Sequence, residues 1–217
     1  MVHQNSEIAS ALLRINAIKL NPTDPFTWAS GIISPIYCDN RIALSHPAVR
    51  KLIIEKFVES SKSFESIEMI AGVATAGIPW GAYLAEALDL PFIYVRSKPK
   101  AHGRKNKIEG EIIPNANILV VEDLISTGGS SIEAVKAIRD EGSNVLGVLA
   151  IFEYEFEKAQ ENFKSADCNY KTLANYSQLL RSAEGLNLIT GQQKDILIKW
   201  RNNPENWWHE ANNEVNK

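Results

Sequence analysis

The densest chemistry in the chain lies between residues 118 and 131, ILVVEDLISTGGSS. An apolar run ends in two adjacent carboxylates, Glu122 and Asp123, and passes at once into Ser126, Thr127, Gly128, Gly129 and Ser130. Glycines and hydroxyls before a helix leave backbone N–H groups free to surround an anion. Two carboxylates would repel a bare phosphate, so the ligand must also offer hydroxyls, or a metal ion, for them to hold. A sugar phosphate meets both demands. The loop is not a Walker A sequence, since no Lys-Ser or Lys-Thr pair follows the glycine, and it is not GxGxxG. Nucleotide triphosphatase and dinucleotide chemistry lose weight accordingly.

Two further stretches could serve the same ligand. In IEMIAGVATAGIPWGAYLAEAL, residues Gly72 to Gly77 again join an apolar run to a helical pattern. A tight packing turn and a ligand loop are both consistent with that spacing. In RSKPKAHGRKNKIEG, Arg96, Lys98, Lys100, His102, Arg104, Lys105 and Lys107 fall within twelve residues without one acid. A solvated loop and a clamp for a highly anionic small ligand compete for this run. A nucleic-acid patch fits less well, because no aromatic residue interleaves the charges.

These residues need a frame. The chain has 217 residues, enough for one substantial core with a small appended element. With 45% hydrophobic residues and a formal charge of −3, no global field recruits nucleic acid or an anionic membrane. Cys38 and Cys168 show no CxxC spacing, and the N-terminal stretch is amphipathic without a signal-peptide core, so a reducing cytoplasm is expected. No apolar stretch approaches the roughly 20 residues that span a bilayer.

Helical spacing runs through SEIASALLRINAIKL, with Ser6 as cap, and through HPAVRKLIIEKFVES, where Val49, Leu52, Ile53 and Phe57 form one stripe behind Pro47. Beyond these come a strand near 67–73, a helix from about 79 to 88, strands at 92–95 and 118–121, a helix over 131–139 capped by Gly142, and a strand over 145–152. The alternation predicts an α/β fold, a parallel sheet with helices on both faces, whose ligands gather at the carboxyl ends of the strands. Near the C-terminus, Ile196, Leu197 and Trp200 repeat at helical spacing before Trp207 and Trp208, and these aromatics read as packed core or subunit contact.

The segments together resemble the type I phosphoribosyltransferase family, and in particular its orotate-using branch. VVEDLISTGGSS resembles the family's binding motif. FTWASGIISPIYCDNR at 26–41 is similar to that branch's N-terminal substrate segment, and VRSKPKAHGRKNKIEG to its catalytic loop, with GVATAGIP between them. The resemblance covers roughly residues 5 to 155. It implies a single domain over 1–217: a small hood and substrate segment over about 1–45, a core over about 46–155 that carries a mobile basic loop, and a helical extension over about 156–217.

The activity implied is transfer of the 5-phosphoribosyl group from 5-phosphoribosyl 1-diphosphate to orotate, a step of pyrimidine nucleotide synthesis. Glu122 and Asp123 would hold the ribose hydroxyls. Leu124, Ile125, Ser126, Thr127, Gly128, Gly129 and Ser130 would wrap the 5-phosphate, Arg96, Lys100 and His102 would meet the diphosphate, and orotate would lie near Tyr37 and Ser126. Lys100, His102 and Asp123 would be the catalytic residues. Magnesium would ride on the diphosphate rather than in a protein cage, and the basic loop would reach the neighbour's site in a homodimer.

Three positions depart from that pattern. Many orotate enzymes carry lysines where this chain has Ala29 and near Ala76, and an arginine where it has Tyr154; Arg41 is a candidate replacement for a missing cation. A purine phosphoribosyltransferase and a regulator that senses the sugar diphosphate are the alternatives. About 25 residues precede the FTW segment, too few for a winged-helix module, and a sensor would not require Lys100 and His102.

Overall fold

The computed structural model describes residues 6–28, 31–97 and 107–208. The chain opens with α1 (Glu7–Arg14), four short strands, β1 (Ile18–Leu20), β2 (Phe26–Thr27), β3 (Ile33–Ser34) and β4 (Ile36–Cys38), and a 3-10 turn over Asn40–Ser45. Ser6 caps α1 by accepting the Ala9 N–H at 3.3 Å. The helix stops earlier than its apolar spacing suggests. Asn16 turns left-handed at φ 57, and Ile18–Leu20 pair antiparallel with β4 instead of continuing the helix. Buried Ala17 and Ile18 satisfy both patterns, so the periodicity does not register the change.

The core begins at α2 (Pro47–Ser61), which buries Ile53 and Phe57. It continues through β5 (Met69–Val73), α3 (Gly77–Leu88), β6 (Phe92–Val95), β7 (Ile108–Glu109), β8 (Asn117–Ile125), α4 (Gly129–Asp140), β9 (Asn144–Glu153), α5 (Glu157–Ser165), β10 (Tyr170–Asn175), α6 (Tyr176–Gly185) and α7 (Gly191–Asn202). Six strands make the main sheet in the order β10-β9-β8-β5-β6-β7, parallel except for the antiparallel edge strand β7. The expected helical extension after residue 156 therefore contributes a strand, β10, to the sheet edge.

Period-two alternation splits the sheet into two faces. Ile70, Leu119, Val121, Leu149 and Ile151 face one core with α1, α2, α3 and α6, whereas Ala71, Val120, Val148 and Ala150 face the other with α4 and α5. From β5 the chain winds toward β6, and from β8 it winds the opposite way toward β9 and β10. The β5–β8 boundary is thus a topological switch point, where the loops leaving both strands open a crevice at their carboxyl ends.

Candidate active site

Register explains how the two carboxylates reach that crevice. Pairing of β8 with β5 ends at Val121 opposite Gly72, but pairing with β9 runs on to Ile125 opposite Glu153. For its last four residues β8 has a partner on one side only, and those residues begin with Glu122 and Asp123. This corrects the expected strand end at Val121. Leu124 and Ile125, assigned above to the phosphate-wrapping loop, sit in the ladder opposite Phe152 and Glu153, so the free loop starts at Ser126.

The loop delivers an open helix N-terminus. Gly128 precedes α4 in the left-handed conformation, φ 78, and among the described residues no side chain caps the helix. The first intrahelical bond runs from the Ile132 N–H to the Gly128 carbonyl at 2.9 Å. The earlier amides of the helix have no intrahelical acceptor. They form, with the macrodipole, an anion-binding end. A side chain at 128 would strain this backbone and place its Cβ 2.7 Å from the Phe163 ring.

Glu122 and Asp123 do different work. Glu122 is 4% exposed and accepts three hydrogen bonds: the Asp123 N–H at 3.1 Å, the Ser130 hydroxyl at 3.0 Å and the Ser131 hydroxyl at 3.4 Å. It ties the first turn of α4 to the end of β8. Burial pushes its carboxyl well above the usual range, and the adjacent Asp123 charge adds to the rise. Asp123 is half-buried, and burial raises its carboxyl too, with Arg41 working against the rise.

Across the switch point, the β5–α3 loop borders a cavity of about 110 Å³ together with Arg96, Ser97, Gly129 and Ser130. Ala74 enters this cavity just before a cis peptide to Thr75. Arg96 follows β6 and pairs with Glu109 at 3.1 Å. The structure therefore brings the sequence-predicted Arg96, Gly129 and Ser130 together. Lys100 and His102, with the rest of the basic run from 98 to 106, lie outside the described residues, as does Ala29. Ala76 is the residue before α3 and supplies no cation there.

On the other side, the N-terminal segment closes over β8. Asn40, fully buried, donates its side-chain amide to the Asp123 carbonyl at 2.8 Å, a bond across 83 residues of sequence. Asp39 and Arg41 flank it as an ion pair at 2.7 Å. Tyr37 is 41% exposed on β4, its ring 5.9 Å from that of Phe26. Ser126 borders a separate cleft of about 580 Å³ with Thr127, Trp28, Phe156 and Arg201. Tyr37 does not line that cleft, so the cleft itself holds only Ser126 of the two expected orotate contacts.

Tyr154, the position of the family arginine, is only 2% exposed and packs among Trp28, Phe152, Phe156, Tyr176 and Trp200 at centroid distances of 5.4 to 6.4 Å. The C-terminal aromatics are core. Trp200 is fully buried, and Trp207 donates its indole N–H to the Ile33 carbonyl at 2.8 Å, pinning the β2–β3 hairpin. Sequence reading missed Asn40 and Arg201. The signal for Asn40 was the polar run 39–41 after a strand, whereas nothing local marks Arg201.

Comparison with known proteins follows the same lines. The phosphoribosyl transferase domain family matches residues 42–175. The chain is 53% identical to the orotate phosphoribosyltransferase of Streptococcus pneumoniae serotype 4 over 202 residues, 93% of this chain and 96% of that one. It is 52% identical to the Lactococcus lactis orotate phosphoribosyltransferase over 201 residues, 92% and 96% of the two chains. The crystal structure of orotate phosphoribosyltransferase from Aeropyrum pernix superposes with a TM-score of 0.73 at 26% identity, over 84% of this chain and 99% of that one. Leishmania donovani UMP synthase superposes with a TM-score of 0.77 at 25% identity, covering 91% of this chain and 42% of the longer one.

Proposed function

We infer the chemistry from one premise: this chain belongs to the orotate phosphoribosyltransferase family. It transfers the 5-phosphoribosyl group of 5-phosphoribosyl 1-diphosphate to orotate, giving orotidine 5′-phosphate and diphosphate. The observation that carries this reading is the half-buried Asp123 beside the uncapped N-terminus of α4. A hydroxyl acceptor next to an anion site is what a sugar phosphate requires.

The residues divide the work. Asp123 accepts from the ribose hydroxyls, and Glu122, most of whose lone pairs are engaged, keeps that sugar site fixed against α4. Backbone amides and hydroxyls from Ser126 to Ser130 enclose the 5-phosphate. As the anomeric bond breaks, positive charge develops on the sugar and negative charge on the departing diphosphate. Arg96, Lys100 and His102 meet that diphosphate, and cations placed there stabilise the transition state more than the ground state. Orotate enters beside Ser126 and Tyr37.

Among the described residues no group of three or more His, Cys, Asp or Glu could hold a metal ion. Magnesium would instead ride on the diphosphate of the substrate, which asks for no protein cage. When bound, that ion neutralises part of the diphosphate charge. The enzyme works as a homodimer in which the basic loop serves the neighbour's site. The free thiols of Cys38 and Cys168 suit a reducing cytoplasm. Among the described residues no helix is long and apolar enough to cross a membrane.

The test is diphosphate release from 5-phosphoribosyl 1-diphosphate with magnesium and, in turn, orotate, uracil, adenine, hypoxanthine and guanine. Orotate alone should support rapid release. Turnover with a purine and none with orotate would overturn the reading.

A further inference from the structure

An acceptor that carries a carboxylate creates an electrostatic problem at this site. Asp39, Glu122 and Asp123 already gather around the end of β8, and a further anion desolvated beside them is costly unless a cation meets it. Lys158, which lines the Ser126 cleft, is paired with Glu161 at 3.3 Å, and three described arginines lie near the crevice. Arg96 stands two strands from β8, beyond β5, and is paired with Glu109. Arg201 is engaged by Ser177 at 3.2 Å, Asn202 at 3.4 Å and Glu155 at 3.5 Å. Arg41 differs from both.

Arg41 is anchored yet open. Asp39 grips it side-on, with Nε and Nη2 donating to the two carboxylate oxygens at 2.7 and 2.8 Å. The same carboxylate accepts the Arg41 backbone N–H at 3.1 Å, and the intervening Asn40 is fastened to the Asp123 carbonyl at 2.8 Å. Residues 39 to 41 are thus locked to β8, although the Arg41 side chain is 61% exposed. A guanidinium has five N–H donors, and side-on pairing uses two. The end-on fork, both Nη1 protons and the second of Nη2, meets no partner among the described residues. That fork matches a carboxylate with two parallel hydrogen bonds. The Asp39 carboxylate holds the Arg41 guanidinium in its charged form, and Asp123 and the Tyr37 phenol add to that hold.

We propose that Arg41 reads the carboxylate of the acceptor base through the end-on fork that Asp39 leaves free, and that Asp39 is its positioning residue. The proposal rests on the reading of the acceptor as orotate. It assigns the selectivity of orotate over uracil, which differ by that carboxylate, to residues 39 to 41 rather than to the buried Tyr154.

The test compares calorimetric binding of orotidine 5′-phosphate, uridine 5′-phosphate and ribose 5-phosphate to the full-length wild type, Arg41→Ala, Arg41→Lys and Asp39→Asn. Arg41→Ala should weaken orotidine 5′-phosphate about 10- to 100-fold, the range of charged hydrogen bonds, and leave the other two ligands unchanged. Arg41→Lys should recover part of the loss, since it restores charge without the fork, and Asp39→Asn should lose several-fold by loosening the guanidinium. Equal loss for all three ligands would make Arg41 structural, and an unchanged affinity for orotidine 5′-phosphate would remove it from recognition; either result overturns the proposal. A wild type that releases no diphosphate with orotate, and does not prefer orotidine over uridine 5′-phosphate, would overturn the orotate reading itself whatever the variants do.

Discussion

The two strand-to-helix loops at the switch point look alike in sequence and are built for opposite purposes. After β5, glycine brings backbones together. A Cβ on Gly77 would lie 2.5 Å from the Val121 carbonyl oxygen, one on Gly72 would lie 2.9 Å from the Gly77 oxygen, and one on Gly81 would meet the Gly72 Cα at 3.1 Å. These glycines let α3 settle directly onto β5 and β8. After β8, glycine keeps backbone open: among the described residues Gly129 has nothing nearer than the Thr127 hydroxyl at 3.8 Å. Small residues between a strand and a helix therefore carry two meanings, close packing and free amides, and only the neighbouring backbone separates them.

Substitutions can break or sharpen this contrast. The largest effect is expected from Gly77→Ala, because the obstruction is carbonyl backbone that cannot rotate away. It should cost about 3 kcal/mol, or roughly 10 °C in Tm for a chain of this size. Gly129→Ala serves as control and should leave Tm within a degree or two. Equal Tm losses in both would erase the distinction between the loops.

Next comes the acidic pair. Asp123→Asn preserves size and removes the charge proposed to hold the sugar, so kcat should fall about 10²-fold with Tm near the wild-type value. Near-normal turnover would make the carboxylate structural.

The smallest effect concerns Glu122 and has a definite sign. Burial raises its carboxyl in the folded chain, so the ionised form is disfavoured by folding. Its contribution to stability is therefore greatest below the ordinary carboxylate range and is lost as pH rises from there through the folded value. Glu122→Gln removes that penalty and keeps an oxygen to accept from the Asp123 N–H. Thermal melts at pH 8 should show the variant more stable by a few degrees, with the gain shrinking toward pH 5. A gain that grows on acidification would contradict the assignment.

How much of this was legible in the sequence depended on range. The β8–α4 loop was readable because its apolar run, acid pair and small residues are contiguous, and β6 and α2 were readable from length and spacing. Strands of two or three residues such as β2, β3 and β7 present no periodicity to detect. The extra length of β8 was hidden because polar Glu122 and Asp123 look like a strand end, yet β9 goes on pairing beside them. Asn40 acts on a carbonyl 83 residues away, and Arg201 reaches the Ser126 cleft from the C-terminal helix, so neither could be tied to the site locally. Tyr154, conspicuous as a missing arginine, proved to be the centre of an aromatic core.

The central claim is that the open loop after β8 holds the sugar phosphate, while the glycines after β5 serve packing. Backbone amide chemical shifts on titration with ribose 5-phosphate, which lacks the diphosphate, test it most directly. The account predicts that the largest shifts fall on Thr127 to Ser131, with Gly72 and Gly77 scarcely moved. Large shifts at Gly72 to Gly77 with unmoved amides from Thr127 to Ser131 would contradict it.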